Sequence, residues 1–420
     1  MSDPNNGLVV PKAERKPLRI RAAALFSPSG PVTQQDLFAG RVQQMQDLIS
    51  AHSEAGRHAV VYGERGVGKT SLAATMVEIL TPHAIAVRIN CDSSDDFAST
   101  WRKVFDEVDL IHQTAGVGFT PAVQQHINTA ASMLPEDDVT PNDVRKALVV
   151  LTQTKRVVVF LDEFDRLDSS RVGAAFADTV KTLSDQLVPA TLVMVGVADS
   201  VEDLIAEHRS TERALAQIHM PRMSTRELSE IVNRVKAIGM EADREARQEI
   251  THLSQGLPHY THGLSQSAAV AAVDRGSRLI TPADVQAGVR IMIKRQAQES
   301  VTSAYHRATF STRETLYKEV LLACALAPAD DLGYFASSDV RIPLSKIMGR
   351  RYEIPAFSQH LKELSEVGGA RGHVLQRAGT SRKFRFRFIN PLLQPYIVLR
   401  GIDDGLISMT QARELAEKDG

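Results

Sequence analysis

Eight consecutive residues, GERGVGKT at 63–70, have the composition and spacing that phosphate chemistry needs. Gly63, four residues, then Gly68, Lys69 and Thr70 satisfy the phosphate-loop pattern. In such a loop the backbone N–H groups of Glu64, Arg65, Gly66, Val67 and Gly68, with Ser71 in the helix that follows, present positive potential to a polyphosphate. Lys69 is expected to reach the β- and γ-phosphates of a nucleotide, and the Thr70 hydroxyl to bind Mg²⁺. The segment has the setting that this mechanism requires, since it follows the apolar run HAVVYG and opens the amphipathic stretch TSLAATMVEIL.

A second group completes the chemistry. The run VVVFLDEFD at 157–165 is a buried strand that delivers Asp162 to its carboxyl end, with Glu163 next to it. Asp162 is placed to hold Mg²⁺, and Glu163 to polarise the attacking water. Together the two motifs imply hydrolysis of ATP with Mg²⁺ rather than nucleotide binding alone. A further apolar run, TLVMVGVADS, ends in Asp199 and Ser200, either of which could orient the water or sense the γ-phosphate.

These groups must be positioned by an α/β scaffold. Between Phe38 and about Met220, Val-rich runs at 58–63, 85–91, 156–165 and 191–198 alternate with helical segments. Near-continuous apolar runs are how strands buried on both faces of a parallel sheet read. From Ser224 the pattern becomes helical, with starts marked by STRE at 224–227 and 311–314 and by TPAD at 281–284; TPND at 140–143 is of the same kind. Ser-x-x-Glu is the capping-box form, and Thr-Pro-x-Asp offers an N-cap with Pro at the first helical position. We therefore expect a Pro-rich basic mobile tail over 1–34, an α/β nucleotide-binding domain over 35–222, a helical domain over 223–298, a helix-plus-strand domain over 299–402 and a tail over 403–420.

Composition sets outer bounds. A 420-residue chain with 43% hydrophobic residues is several globular domains, and a net charge of −1 says nothing of polyanion binding at the level of the whole chain. The two cysteines, Cys91 and Cys324, suit a reducing compartment. With no apolar run of membrane-spanning length, a cytoplasmic protein without a membrane partner is expected.

GERGVGKT, FLDEFD, the polar strand end and ERALAQIHMPRMSTRELSEIV resemble an AAA+ ATPase of the replication-initiator (origin-recognition-like) group over roughly residues 35–400. The resemblance implies an α/β P-loop NTPase fold with a helical lid domain and a C-terminal winged-helix domain. It implies that LFAGR at 37–41 encloses adenine, with Arg41 helping. It also implies that an arginine late in the α/β domain, Arg213 or else Arg209, acts in the site of a neighbouring subunit, so that a homo-oligomer is the active form. The lid of such ATPases carries an arginine toward the γ-phosphate; this sequence has His259 there, a weaker phosphate partner. The long segment 92–155 is where initiator-type ATPases insert a DNA-contacting helix.

The last third of the chain carries local charge. Residues 311–400 hold 14 Lys and Arg against eight Asp and Glu, a balance of +6 (14 − 8). Helices over IPLSKIMGRR and from Ile354 to Val367 precede a hairpin, HVLQR–AGTS–RKFRFRF, which is the winged-helix order. Alternation with period two sends Phe384, Phe386 and Phe388 to one face as core, while Lys383, Arg385 and Arg387 project from the other and Arg377 and Arg382 flank the tip. These five cations are the candidate contacts to duplex DNA phosphates. The reading is thus an ATP-dependent switch that assembles on duplex DNA and recruits an effector protein. Two other readings stand beside it: a signalling or defence NTPase whose winged helix docks a protein, and a transposon target-selection ATPase that forms filaments on DNA.

Overall fold

A computed structural model describes residues 8–26, 40–115, 123–167, 170–198, 212–296, 300–311, 315–330, 332–380 and 383–416. The chain divides into two compact units, Pro31–Glu64 with Gly68–Met220, and Met1–Gly30 and Arg65–Val67 with Pro221–Gly420.

The first of these is built on a parallel sheet. Its strands are β1 (His58–Gly63), β2 (Ala84–Asn90), β5 (Arg156–Asp162), β6 (Ala190–Val197) and β7 (Leu215–His219), in the order β2-β5-β6-β1-β7. The four Val-rich runs are four of these strands. The fifth, β7, was not singled out in the sequence because LAQIH is an edge strand whose polar positions interrupt the apolar run. Pleating divides the side chains between the faces. Val60, Val87, Val159, Leu192 and Met194 meet Trp101, Phe105, Leu148, Phe176 and Leu183 from α4 (Phe97–Asp106), α5 (Pro141–Leu151) and α6 (Ser170–Asp185). On the opposite face α3 (Lys69–Leu80) packs against β1, β2, β5 and β6, and α2 (Val42–Ser53) against β1, β6 and β7. The segment 92–155, expected to insert a DNA-contacting helix, holds α4, α5 and between them an antiparallel pair of β3 (Asp109–Ala115) and β4 (Val123–Thr129), with residues 116–122 outside the described residues.

The second unit starts with a departure from expectation. Within the leader expected to be mobile, Lys12–Ala24 form helix α1, which packs against α9 (Pro258–Arg275) and buries Leu18 and Ala22. Ion pairs Arg19–Asp274 and Glu14–Arg278 fasten its polar side. Beside α9 lie α7 (Thr225–Asn233), α8 (Arg244–Leu253) and α10 (Pro282–Gln296), with a short parallel pair, β8 (Glu241–Ala242) and β9 (Leu279–Ile280), in a region read as wholly helical. Gly288 lets α10 approach α9, because a Cβ there would stand 3.0 Å from the Ala268 nitrogen.

The caps read from sequence form as expected where they are described. Ser224 and Glu227 bond reciprocally at 3.3 and 2.8 Å, and Thr140 and Asp143 at 3.3 and 3.2 Å. Thr281 is bonded to Asp284 ahead of α10. Residues 312–314 of the remaining box lie outside the described residues.

The C-terminal part holds α11 (Ser300–Thr309), α12 (Tyr317–Ala325), α13 (Ser337–Ile347), α14 (Ser358–Leu364), α15 (Leu393–Asp403) and α16 (Met409–Ala416). Its antiparallel sheet has three strands rather than two, β10 (Phe335–Ala336), β12 (Arg385–Phe388) and β11 (Leu375–Ala378), in the order β10-β12-β11. Helix α14 is shorter than the Ile354–Val367 span expected: a 3-10 turn, Ile354–Ala356, precedes it. Among the described residues no helix is long and apolar enough to cross a membrane.

The sheet of the α/β unit contains a titratable element. His58 is fully buried at the start of β1, and its Nδ1 accepts the Leu192 N–H at 3.0 Å, continuing the ladder by a side chain. Burial pushes the imidazole pKa down to about 4, against a smaller opposing effect from the Val180 backbone. The folded value lies below the unfolded one, about 6.5, so the unfolded chain takes up the proton first. The stability this residue confers is whole above pH 6.5 and is lost as pH falls toward 4, on the order of 3 kcal/mol at most. The single tryptophan, Trp101, is buried in this unit and reports its unfolding. Urea midpoints followed by Trp101 fluorescence are expected to fall from pH 7 to 5 in the wild type and to fall less in His58→Gln, whose amide oxygen keeps the acceptor; parallel pH dependences would contradict this account.

Candidate nucleotide site

The phosphate loop begins where β1 ends. Gly63 has φ 148°, and a Cβ there would strike the Met220 carbonyl, so a larger residue cannot stand at this position. Gly68 has φ 100° and caps the start of α3, which makes Lys69 the first helical residue. Lys69 is 8% exposed, and its Nζ donates to the carbonyls of Gly63 at 2.9 Å and Glu64 at 2.8 Å. The loop therefore holds a buried ammonium within its own curl. Of its other members, Val67 is buried, Glu64, Gly66, Thr70 and Ser71 are half-buried, and Arg65 is exposed.

Strand order brings Asp162 to Thr70. Asp162 is 2% exposed at the end of β5. Its Oδ1 accepts from the Thr70 hydroxyl at 3.3 Å and from the Glu163 N–H at 3.0 Å, and its Oδ2 from the Arg88 guanidinium at 3.0 Å. Burial pushes the carboxyl above the ordinary aspartate range, and the Glu163 N–H, Arg88 and Thr70 oppose that shift. Thr70 Oγ1 and Asp162 Oδ1 are adjacent hard oxygens, a donor pair that suits Mg²⁺, which takes one or two protein ligands and completes its shell from phosphates and water. Among the described residues no group of three or more His, Cys, Asp or Glu side chains could hold a metal by itself.

Arg88 was missed in the sequence. It stands in the polar position of an apolar strand, AIAVRIN, which reads as an edge or solvent-facing residue. Only the pairing of β2 with β5 shows its role: Arg88 is opposite Phe160 and Asn90 opposite Asp162, so Arg88 and Asp162 project from one face.

Glu163 follows in a left-handed conformation, φ 55°, uncommon for a residue with a Cβ and concentrated at functional sites. Its carboxylate is half-exposed and paired with Arg166 at 2.7 Å. Asp165 accepts the Val197 N–H at 2.8 Å, which ties the end of β6 to the turn after β5. Ser200, Asp199 and Arg209 lie outside the described residues.

The remaining candidates are more dispersed. Arg41 is buried, with φ 62°, at the start of α2. Arg213 is exposed on the 3-10 turn Glu212–Ala214 that leads into β7. His259 is the second residue of α9, edge-on to Tyr260, in the other unit.

In the C-terminal hairpin, Phe386 and Phe388 are buried and Phe384 half-buried. The register pairs Arg377 with Phe386 and Gln376 with Arg387, so Arg377 lies on the Phe face, 4.6 Å above the Phe384 ring, and not with Arg385 and Arg387. Arg385 is ion-paired with Asp330, and Arg387 donates to Gln376 at 2.7 Å; both guanidinium groups lie over the Tyr334 ring. Lys383 is exposed, and Arg382 lies outside the described residues.

The AAA ATPase domain family matches residues 37–195. No curated protein matches. Among solved structures, a Walker-type ATPase of Pyrococcus abyssi is 14% identical, with 90% of this chain and 99% of that one covered and a TM-score of 0.50. The ORC1 protein of Aeropyrum pernix in complex with DNA is 14% identical over 92% and 98% of the two chains, TM-score 0.46, and Cdc6p of Pyrobaculum aerophilum 16% identical over 91% and 98%, TM-score 0.45. Residues 37–195, which match that family, hold the phosphate loop at one end of β1 and bring Asp162 beside Thr70.

Proposed function

We propose that this protein hydrolyses ATP to ADP and phosphate with Mg²⁺, and that it uses the nucleotide to control assembly on duplex DNA. The observation that carries the hydrolytic part is the meeting of Thr70 and Asp162 beside the buried Lys69, residues 92 positions apart in the case of the first pair. Lys69 exchanges its two carbonyl partners for β- and γ-phosphate oxygens. Thr70 and Asp162 would hold the Mg²⁺, whose charge would offset that of the phosphates. Glu163 orients the attacking water and takes up its developing proton. To do so it releases Arg166, and an exposed pair of this kind holds weakly, within about 1 kcal/mol. Arg213, exposed beside an edge strand, is offered to the site of a neighbouring subunit; a homo-oligomer is then the active form, with an effector protein as its downstream partner.

The DNA part rests on the C-terminal unit, which we read as a winged helix: α12, α13 and α14 followed by the β11–β12 hairpin, with the Phe side chains inside and Lys383, Arg385 and Arg387 outside. Because Arg385 already serves Asp330, the grip on phosphate is smaller than the count of cations suggests. A surface of this kind tracks backbone and has little base readout.

Two measurements test these parts. In fluorescent ATP binding and phosphate release, Lys69→Ala is expected to weaken nucleotide binding at least about tenfold, whereas Glu163→Gln keeps binding and lowers turnover by about a hundredfold or more; full turnover in Glu163→Gln would remove it as the water-activating group. In anisotropy with labelled duplex DNA across a salt series, Lys383→Ala/Arg387→Ala is expected to flatten the log–log salt slope by about 2. Absence of DNA binding in every nucleotide state would leave the hairpin as a protein-docking face.

A further inference from the structure

We infer that Arg88 is a built-in counter-cation of the metal site: it shares the Asp162 carboxylate with the divalent ion, so that the ion is held only together with the phosphates of a nucleotide. This rests on the ATPase reading and adds to it the order of assembly.

Three observations carry it. The carboxylate divides its oxygens, Oδ2 to Arg88 at 3.0 Å and Oδ1 toward Thr70 at 3.3 Å, so the guanidinium does not occupy the oxygen that faces the metal-binding hydroxyl. The arrangement is set by the sheet, because the register of β2 on β5 puts both residues on one face, two positions apart along the strands. And the Asp162 side chain is 3% exposed while that of Arg88 is 25% exposed, so a carboxylate withdrawn from water has its compensating charge at the point where solvent begins.

The electrostatic consequence is direct. A free dication approaching Thr70 and Asp162 meets a carboxylate whose negative charge is offset by a guanidinium a few ångströms away, and like charges repel strongly where water is scarce. An ion that arrives with a polyphosphate brings its own negative partners, and the guanidinium then no longer opposes it. The site is therefore discriminating: it takes the metal–nucleotide pair and refuses the metal alone.

The probe is Mn²⁺ added to the full-length protein without nucleotide, read by electron paramagnetic resonance of the free ion. Arg88→Met is expected to bind Mn²⁺ at least tenfold more tightly than the wild type. Arg88→Lys, which keeps the charge, stays near the wild type, and Arg88→Met/Asp162→Asn loses the gained affinity. Unchanged or weaker Mn²⁺ binding in Arg88→Met overturns the inference, as does a gained site that survives Asp162→Asn. Should Arg88→Met fail to fold, judged by Trp101 fluorescence, Arg88→Gln gives the same reading. A parallel titration of the wild type with fluorescent ATP decides the nucleotide reading separately, because the Mn²⁺ comparison uses no nucleotide.

Discussion

A carboxylate at the carboxyl end of a central strand of the parallel sheet is the constraint around which the α/β unit is organised. Asp162 is withdrawn from water, and a buried charge without partners is costly enough that a protein neutralises it or surrounds it. Here it is surrounded from three directions: a hydroxyl at the first turn of α3, a guanidinium from β2 and the N–H of the next residue. Each donor comes from a different element, so the carboxylate is satisfied only when β2, β5 and α3 are all in register. The site is thereby a condition of the fold, and the same ring of donors leaves one oxygen facing the hydroxyl that a metal would share.

The backbone around this carboxylate departs from regular geometry at specific points. Glu163 holds a left-handed φ directly after Asp162, and Gly63, Gly66 and Gly68 hold positive φ values across the loop. Glycine takes such conformations without strain, but glutamate does not. The strain at Glu163 is opposed by local bonds, its N–H to Asp162 and its carboxylate to Arg166.

How much of this was legible in the sequence follows from the range of the interactions. The strand–turn–helix around Gly63–Thr70, the strand that ends at Asp162 and the helix starts at Thr140, Ser224 and Thr281 were legible because each is encoded within a few residues. Arg88 was not, because its partner is 74 residues away and their meeting depends on which strand lies beside which. The helix expected within 92–155 rested on position alone, without a periodic signal, and the described residues there hold α4, the paired strands β3 and β4, and α5. Helix α1 was missed because Pro17 and a run of basic residues resemble a solvated leader; its many Ala, Arg and Lys residues are good helix formers, and Leu18 and Ala22 give it a buried side. In the hairpin, the alternation of Phe with Lys and Arg gave the faces of β12, but the position of Arg377 required the register with β11.

A common feature then connects the two units. Three charged residues that the sequence marks as functional already have ionic partners within the chain: Asp162 has Arg88, Glu163 has Arg166 and Arg385 has Asp330. A ligand that uses any of them replaces an existing interaction, so its affinity is a difference between two pairings and not the sum of new contacts. This argues against reading the +6 balance of residues 311–400 as a measure of grip on DNA. It equally argues against reading the carboxylates of the nucleotide site as a standing trap for cations. In both places the internal partner holds the charged group in position, and a ligand that supplies several contacts together is better able to displace it than one that supplies a single contact.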